Sequence, residues 1–221
     1  MPRKAGPIQK HAIPNVTKVL AIASGKGGVG KSTVAVNLAF SLAMLPARLR
    51  IAGAIIPLVN HGLPDGATNS DTPIVWRGLM VQKAVQQLLF DVDWRRDGGG
   101  GAGLGMLVYV ALTDVRRGIA MVRKVSVPIT GILLNQSHFM CPSCTTPHHL
   151  FGSPDKFRST ASQLGVDVLG ELPLVPGVSA GGDEGTPYAL APRAGHDGVG
   201  GVEWKATMDS VAASVWAELS G

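Results

Sequence analysis

The chain has 221 residues, of which 45% are hydrophobic and 16% charged, and its formal net charge is +5. This balance is typical of a globular domain and excludes a disordered chain, and no apolar run approaches the roughly 20 residues that span a bilayer. The basic pairs fall where a solvated helix face explains them, so we expect no nucleic-acid partner and no transmembrane segment.

The N-terminal part of the sequence predicts a basic segment followed by a nucleotide-binding unit. Residues 1–18 contain three prolines and no acidic residue, and we expect them to form a flexible basic segment before a single domain over residues 19–221. Val19–Ser24 has the pattern of a short buried strand, and Lys31–Leu45 that of a helix ended by a proline. Ile51–Val59 is a further strand candidate.

A glycine-rich loop joins this first strand to the first helix. Its sequence, GKGGVGKST, matches the phosphate-binding pattern G-x-x-x-x-G-K-[ST]. Glycines let successive N–H groups point at phosphate oxygens, and the helix N-terminus adds a positive dipole. We therefore expect ATP binding, with Lys31 at the β- and γ-phosphates and Ser32 on Mg²⁺. The predicted nucleotide-binding residues here are Gly25, Lys26, Gly27, Gly28, Val29, Gly30, Lys31, Ser32 and Thr33.

Lys26 directly follows the first glycine and is not part of the general loop pattern. It resembles the signature lysine of the deviant Walker A group, which includes MinD, ParA, the nitrogenase iron protein and the Mrp-type carriers. The resemblance implies that Lys26 acts catalytically on the nucleotide of a partner subunit. It therefore also implies a homodimer.

The middle of the chain predicts a helix and then a linker. Apolar residues at three- and four-residue spacing indicate an amphipathic helix over residues 73–94. The following stretch, RRDGGGGAGLG at residues 95–105, has six glycines and is typical of a flexible linker.

Strands and helices alternate over the rest of the chain. Met106–Leu112 and Ile129–Leu134 are strand candidates on either side of a predicted helix, Asp114–Val125. Ser153-Pro154 and Gly165 bracket another helix before the predicted strand Val166–Leu169. The apolar face of a terminal helix is formed by Trp204, Met208, Val211, Ala212, Val215, Trp216 and Leu219. This alternation predicts an α/β fold, a mostly parallel sheet with helices on both faces.

The chain has two cysteines, Cys141 and Cys144, which follow the predicted strand that ends at residue 134. Two thiolates can chelate one metal centre, but tetrahedral zinc or an iron–sulfur cluster takes four ligands, which a homodimer would supply. Zinc bound with His148 or His149, a thioredoxin-like couple and inert thiols stay open as alternatives. The redox motif normally opens a helix, whereas Pro147 and a polar loop follow here.

Four segments together resemble the Mrp-type P-loop iron–sulfur carriers, especially the mitochondrial branch that helps to assemble respiratory complex I. They are VLAIASGKGGVGKSTVAVNLA at 19–39, PIVWRGLMVQKAVQQLLFDVDW at 73–94, GIAMVRKVSVPITGILLNQSHFMCPSC at 118–144 and LGVDVLGELPL at 164–174. The resemblance implies a P-loop NTPase fold of the MinD/ParA type and a [4Fe–4S] cluster bridged between two subunits by Cys141 and Cys144. It also implies that Asn135 contacts adenine, that apo iron–sulfur proteins such as complex I subunits are the clients, and that the chain acts in the mitochondrial matrix, with the cytoplasm as the alternative.

Two active-site segments of that family are not found in this sequence. Residues 48–66 contain only Asp65, without the Asp-x-Asp stretch and Gly-Pro-Ser that place the attacking water, and residues 95–105 stand where Asp-x-Pro-Pro-Gly would support Mg²⁺. We therefore expect an incomplete version of the fold and weak or absent ATPase activity. Two other hypotheses are a MinD/ParA-like dimerisation switch without a cluster and a poorly folding product of a damaged gene model.

Overall fold

A computed structural model of the chain describes a defined subset of its residues. These are residues 16, 18–24, 28–45, 83, 86, 87, 107–110, 115–124, 126–191 and 197–220. The chain divides into two compact units, residues 20–55 with 105–221 and residues 1–19 with 56–104. In the second unit, residues 83, 86 and 87 are helical, inside the helix predicted for 73–94. The predicted strand at 51–59 and linker at 95–105 lie outside the described residues.

The first unit alternates strands and helices. Its elements are β1 (Ala21–Ala23), α1 (Lys31–Ala43), β2 (Leu107–Val110), α2 (Val115–Lys124), β3 (Gly131–Leu134), β4 (Phe139–Met140), β5 (Pro147–His148), α3 (Asp155–Leu164), β6 (Val168–Glu171), α4 (Pro176–Asp183), a 3₁₀ turn (Tyr188–Leu190) and α5 (Gly198–Ser220). Strands β1, β2, β3 and β6 form a parallel sheet in that order. Strands β4 and β5 form a separate antiparallel hairpin.

Strand β3 lies inside the sheet, and all four of its residues are buried. Successive side chains of a strand point to opposite faces. Leu133 packs into an apolar cluster with residues of α1 and α5, whereas Ile132 and Leu134 pack with residues of α2 and α3. Helices therefore cover both faces of a parallel sheet, and the predicted α/β architecture is confirmed.

The helix predicted between Ser153 and Gly165 is present, but the strand after it begins later than predicted. The Ser153 hydroxyl accepts a hydrogen bond from the Asp155 N–H at 3.2 Å, and Gly165 ends the helix with φ +57°. The N–H of Val166 donates back to the Ala161 carbonyl at 3.1 Å. Because Val166 still belongs to the helix cap, the strand occupies Val168–Glu171 instead of 166–169.

The terminal helix α5 buries the face that its sequence predicts. The buried residues are Trp204, Met208, Val211, Ala212, Val215 and Leu219, and Trp216 is partly buried beside them. The Trp204 ring meets the Tyr188 ring edge to face, with centroids 5.2 Å apart. Aromatic pairs of this geometry add to the stabilisation that burial provides.

Asn37 joins α1 to the 3₁₀ turn through one buried hydrogen bond and makes a second one within α1. Its side chain is 3% exposed. The amide nitrogen donates to the Thr33 carbonyl at 2.8 Å, and the amide oxygen accepts from the Ala189 N–H at 2.7 Å. Asn37 therefore fixes the helix that follows the glycine-rich loop against a segment more than 150 residues away.

We predict that Asn37→Ala lowers the free energy of unfolding by about 1–3 kcal/mol, because the buried Ala189 N–H loses its acceptor. Urea denaturation followed by tryptophan fluorescence measures this change. Lys156→Ala, on the exposed face of α3, is the control and should stay within about 0.5 kcal/mol of the unmutated chain. Equal stabilities of the Asn37 and Lys156 variants would contradict this role of Asn37.

Candidate functional site

The glycine-rich loop leads directly into α1, as a phosphate-binding loop requires. Gly28 and Gly30 have φ values of +77° and +87°, and Gly30 is the N-cap residue directly before α1. Among the described residues no side chain caps this helix start, and the space in front of Gly28 is open. N–H groups of a first helical turn have no intrahelical acceptor, so this cradle suits an anion such as a nucleotide phosphate.

The predicted nucleotide residues fall partly inside the described range. Val29, Lys31 and Thr33 are partly buried around the loop, and the Ser32 side chain is exposed at the first turn of α1. Gly25, Lys26 and Gly27 lie outside the described residues. The contact predicted for Lys26 with a partner subunit therefore stays a prediction.

Asn135 stands directly after β3 and reaches the loop. Its side-chain amide donates to the Val29 carbonyl at 3.1 Å. A Cβ atom on Gly30 would overlap the Asn135 amide nitrogen. The structure therefore brings Asn135 together with the glycine-rich loop, 106 positions earlier in the sequence.

The two cysteines lie in the turn of the β4–β5 hairpin. The Cys141 N–H donates to the Thr146 carbonyl at 3.1 Å, and the Thr145 N–H donates to the Cys141 carbonyl at 2.9 Å. Cys141 is partly exposed and Cys144 is exposed. A hairpin turn, and not a helix N-terminus, holds this pair, so the geometry does not match the thioredoxin-like arrangement.

A histidine completes a cluster of three metal-ligating side chains at this turn. The ligand atoms of Cys141, Cys144 and His148 all lie within 4.8 Å of one another. Hydrogen bonds from the Thr146 side chain and backbone, and then from Cys141, lower the pKa of the Cys144 thiol to about 6. Above that pH this thiol is mainly a thiolate, the form that binds metal.

A partly buried polar network, which was not predicted from the sequence, lies at the base of the hairpin. The His138 ring contacts the Ser137 hydroxyl at 2.8 Å and the Glu203 carboxylate of α5 at 3.3 Å. Ser137 also donates, through both its N–H and its hydroxyl, to the Leu172 carbonyl after β6. These contacts attach the base of the cysteine hairpin to β6 and α5. Glu203 lies 65 positions from His138, so no local pattern reveals the pair.

The described helices do not include one with the length and apolar character of a bilayer span.

Comparison with known families identifies one match. The profile described as "ParA: NUBPL iron-transfer P-loop NTPase" matches residues 15–56 and 108–199. Both the glycine-rich loop and the cysteine hairpin lie within the matched ranges. Residues 57–107, which include the stretch where the Asp-x-Pro-Pro-Gly segment was expected, fall between them.

Curated relatives are similar over most of the chain. The mouse "Iron-sulfur cluster transfer protein NUBPL" is 35% identical over 83% of this chain and 74% of its own length. The Arabidopsis thaliana "Iron-sulfur protein required for NADH dehydrogenase, mitochondrial" is 34% identical over 80% of this chain and 72% of its own length. An "Iron-sulfur cluster carrier protein" from Aquifex aeolicus is 31% identical over 82% of this chain and 64% of its own length.

A solved structure shares the fold. It is a nucleotide-binding protein from Archaeoglobus fulgidus in complex with ADP, which aligns with a TM-score of 0.52 and 22% identity over 80% of this chain and 89% of its own. The likeness supports a P-loop NTPase architecture for the described part of the chain.

We predict that Gly30→Ala weakens ATP binding by about 5- to 30-fold. An alanine at positive φ costs roughly 1–2 kcal/mol, and the added methyl group displaces Asn135. Isothermal titration calorimetry with ATP measures the change. Gly165→Ala is the matched control, because it has the same kind of backbone strain with open space around it at the end of α3. An equal loss of affinity in both variants would contradict a specific role for the loop.

Proposed function

This chain belongs to the NUBPL iron-transfer P-loop NTPase family, and on that premise we propose that it carries an iron–sulfur cluster to apoprotein clients. Its relatives are named as cluster transfer or carrier proteins, including one required for a mitochondrial NADH dehydrogenase. These names support a carrier and not a dimerisation switch without a cluster. Clients among the subunits of complex I, and a place in the mitochondrial matrix, are part of the proposal.

The observation that carries this proposal is the exposed cysteine pair at a hairpin turn. Cys141 and Cys144 present both sulfur atoms at one accessible point. A cluster that must leave for a client has to be held near the surface, whereas a structural metal site is closed. The cargo is a [4Fe–4S] cluster bound by the cysteines of two subunits, because one chain supplies only two of the four thiolates that it takes.

A homodimer is also supported by exposed apolar side chains that follow the cysteine hairpin in the chain. Leu150 and Phe151, which follow β5, are 59% and 72% exposed. A second copy of the hairpin facing the first would cover these side chains and bring two cysteine pairs together around a two-fold axis.

The glycine-rich loop supplies ATP binding in this proposal. The amides of the loop and Lys31 hold the phosphates, Ser32 binds Mg²⁺, and Asn135 contacts the adenine. Lys26 stabilises charge on the nucleotide of the partner subunit. The loop, the sheet and the hairpin form one nucleotide-binding domain over residues 19–221, preceded by the basic segment 1–18.

We predict that Cys141→Ser and Cys144→Ser each remove most of the iron bound after anaerobic reconstitution. Each substitution deletes two of the four thiolates of a bridged cluster, and the unmutated chain should bind about two iron atoms per chain. Ser143→Ala, between the cysteines, is the control and should keep its iron. Iron and sulfide assays measure the result, and full iron content in both cysteine variants would refute the bridging assignment.

We predict that ATP is bound but hydrolysed slowly. Phosphoryl transfer depends on positioning of the water and on charge stabilisation, and loss of such a group reduces the rate by about 10²–10⁴-fold. A single-turnover assay compares the unmutated chain with a version into which both aspartate segments have been restored. Rapid hydrolysis by the unmutated chain would show that Asp65, Asp71 or another acid performs this task.

A further inference from the structure

His148 is placed differently from its neighbour His149, although either could bind metal by sequence. Both follow the cysteines within the β4–β5 hairpin region, where His148 pairs with Phe139. Adjacent side chains of a strand point to opposite faces. The His148 ring points to the cysteines, with its ligand atom within 4.8 Å of both sulfur atoms.

His149 is held on the other side of the hairpin. Its Nδ1 atom lies 3.2 Å from the Ser137 carbonyl. Its ring packs edge to face on the buried His138 ring, with centroids 5.9 Å apart. His149 therefore belongs to the network that anchors the hairpin, and only His148 of the two faces the cysteines.

From this arrangement we infer that Cys141, Cys144 and His148 of a single chain form a mononuclear site for a zinc-type divalent cation, with an open fourth position for water. Metal–sulfur bonds of about 2.3 Å and metal–nitrogen bonds of about 2.0–2.1 Å put tetrahedral ligand atoms roughly 3.5–3.8 Å apart. The three ligand atoms are already within 4.8 Å, and Cys144 and His148 are exposed and can adjust their rotamers. Two sulfur atoms and one imidazole nitrogen are a donor set typical of zinc.

Binding of the cation is an exchange of protons for metal bonds. Cys141 and Cys144 bind as thiolates and form two metal–sulfur bonds, any proton still on a sulfur atom passes to the buffer, and neutral His148 donates a lone pair. No electron is transferred. Because the same two cysteines serve the cluster of the proposed function, a chain holds either the single cation or its share of the cluster. The cation site itself does not require a dimer.

Titration of the metal-free full-length chain with Co²⁺ tests this site, because cobalt bound by thiolates gives sulfur-to-metal charge-transfer absorption. The unmutated chain should bind one Co²⁺ per chain. His148→Ala should weaken the binding at least about tenfold, since loss of even an outer partner of a metal ligand costs that much. Ser143→Ala, an exposed position between the two cysteines, is the control and should leave the affinity unchanged. Half a cobalt per chain, or equal affinities of the His148→Ala and Ser143→Ala variants, would overturn the inference.

Iron–sulfur reconstitution of His148→Ala separates this inference from the proposed function. The cluster takes all four of its ligands from cysteines, so this variant should keep the iron content of the unmutated chain while losing cobalt affinity. Parallel loss of iron and cobalt would refute a separate cation site. If neither the unmutated chain nor the His148→Ala variant binds a cluster, but the cobalt affinities are as expected, the proposed function is wrong and the inferred cation site is supported.

Discussion

The hydrogen bond from the Asn135 side chain to the Val29 carbonyl is the contact on which the arrangement of the site depends. It joins the carboxyl end of β3 to the glycine-rich loop, and Gly30 has to be a glycine for the two to approach so closely. Strand β3 is paired on both sides and buried on both faces. The loop is therefore positioned by a buried strand in the interior of the sheet. In open α/β sheets ligands bind at this edge, outside the carboxyl ends of the strands.

The segment after Asn135 is also held by hydrogen bonds, and it fixes the position of the hairpin that carries the cysteines. Ser137 and His138 are buried and bonded to the segment after β6 and to Glu203 of α5, and the Leu174 N–H donates to the His138 carbonyl at 2.6 Å. The hairpin that follows is exposed except at this base. A rigid base with an exposed tip suits a site that must hold a metal cargo and release it. One continuous stretch of chain thus connects the nucleotide loop to the metal-ligating turn.

The elements that could be predicted from the sequence are those with a strong local motif or a clear hydrophobic periodicity. The glycine-rich loop, the buried strand ending at Leu134 and the apolar face of α5 from Trp204 to Leu219 all have periodic or motif signals, and the structure contains them. The β4–β5 hairpin was not predicted, because strands of two residues have no periodicity to detect. Contacts between residues that are distant in the sequence could not be predicted either. The pairing of His138 with Glu203, and the choice of His148 over His149 as the residue facing the cysteines, depend on tertiary packing.

In the proposed function, two chains together hold one cluster at the hairpin turns of Cys141 and Cys144. Sedimentation velocity on the reconstituted protein, recorded both at a protein wavelength and at a cluster wavelength, tests it most directly. The cluster absorbance should move only with the dimer boundary, and chains without a cluster should sediment separately from it. Cluster absorbance that moves with a monomer boundary would contradict the claim.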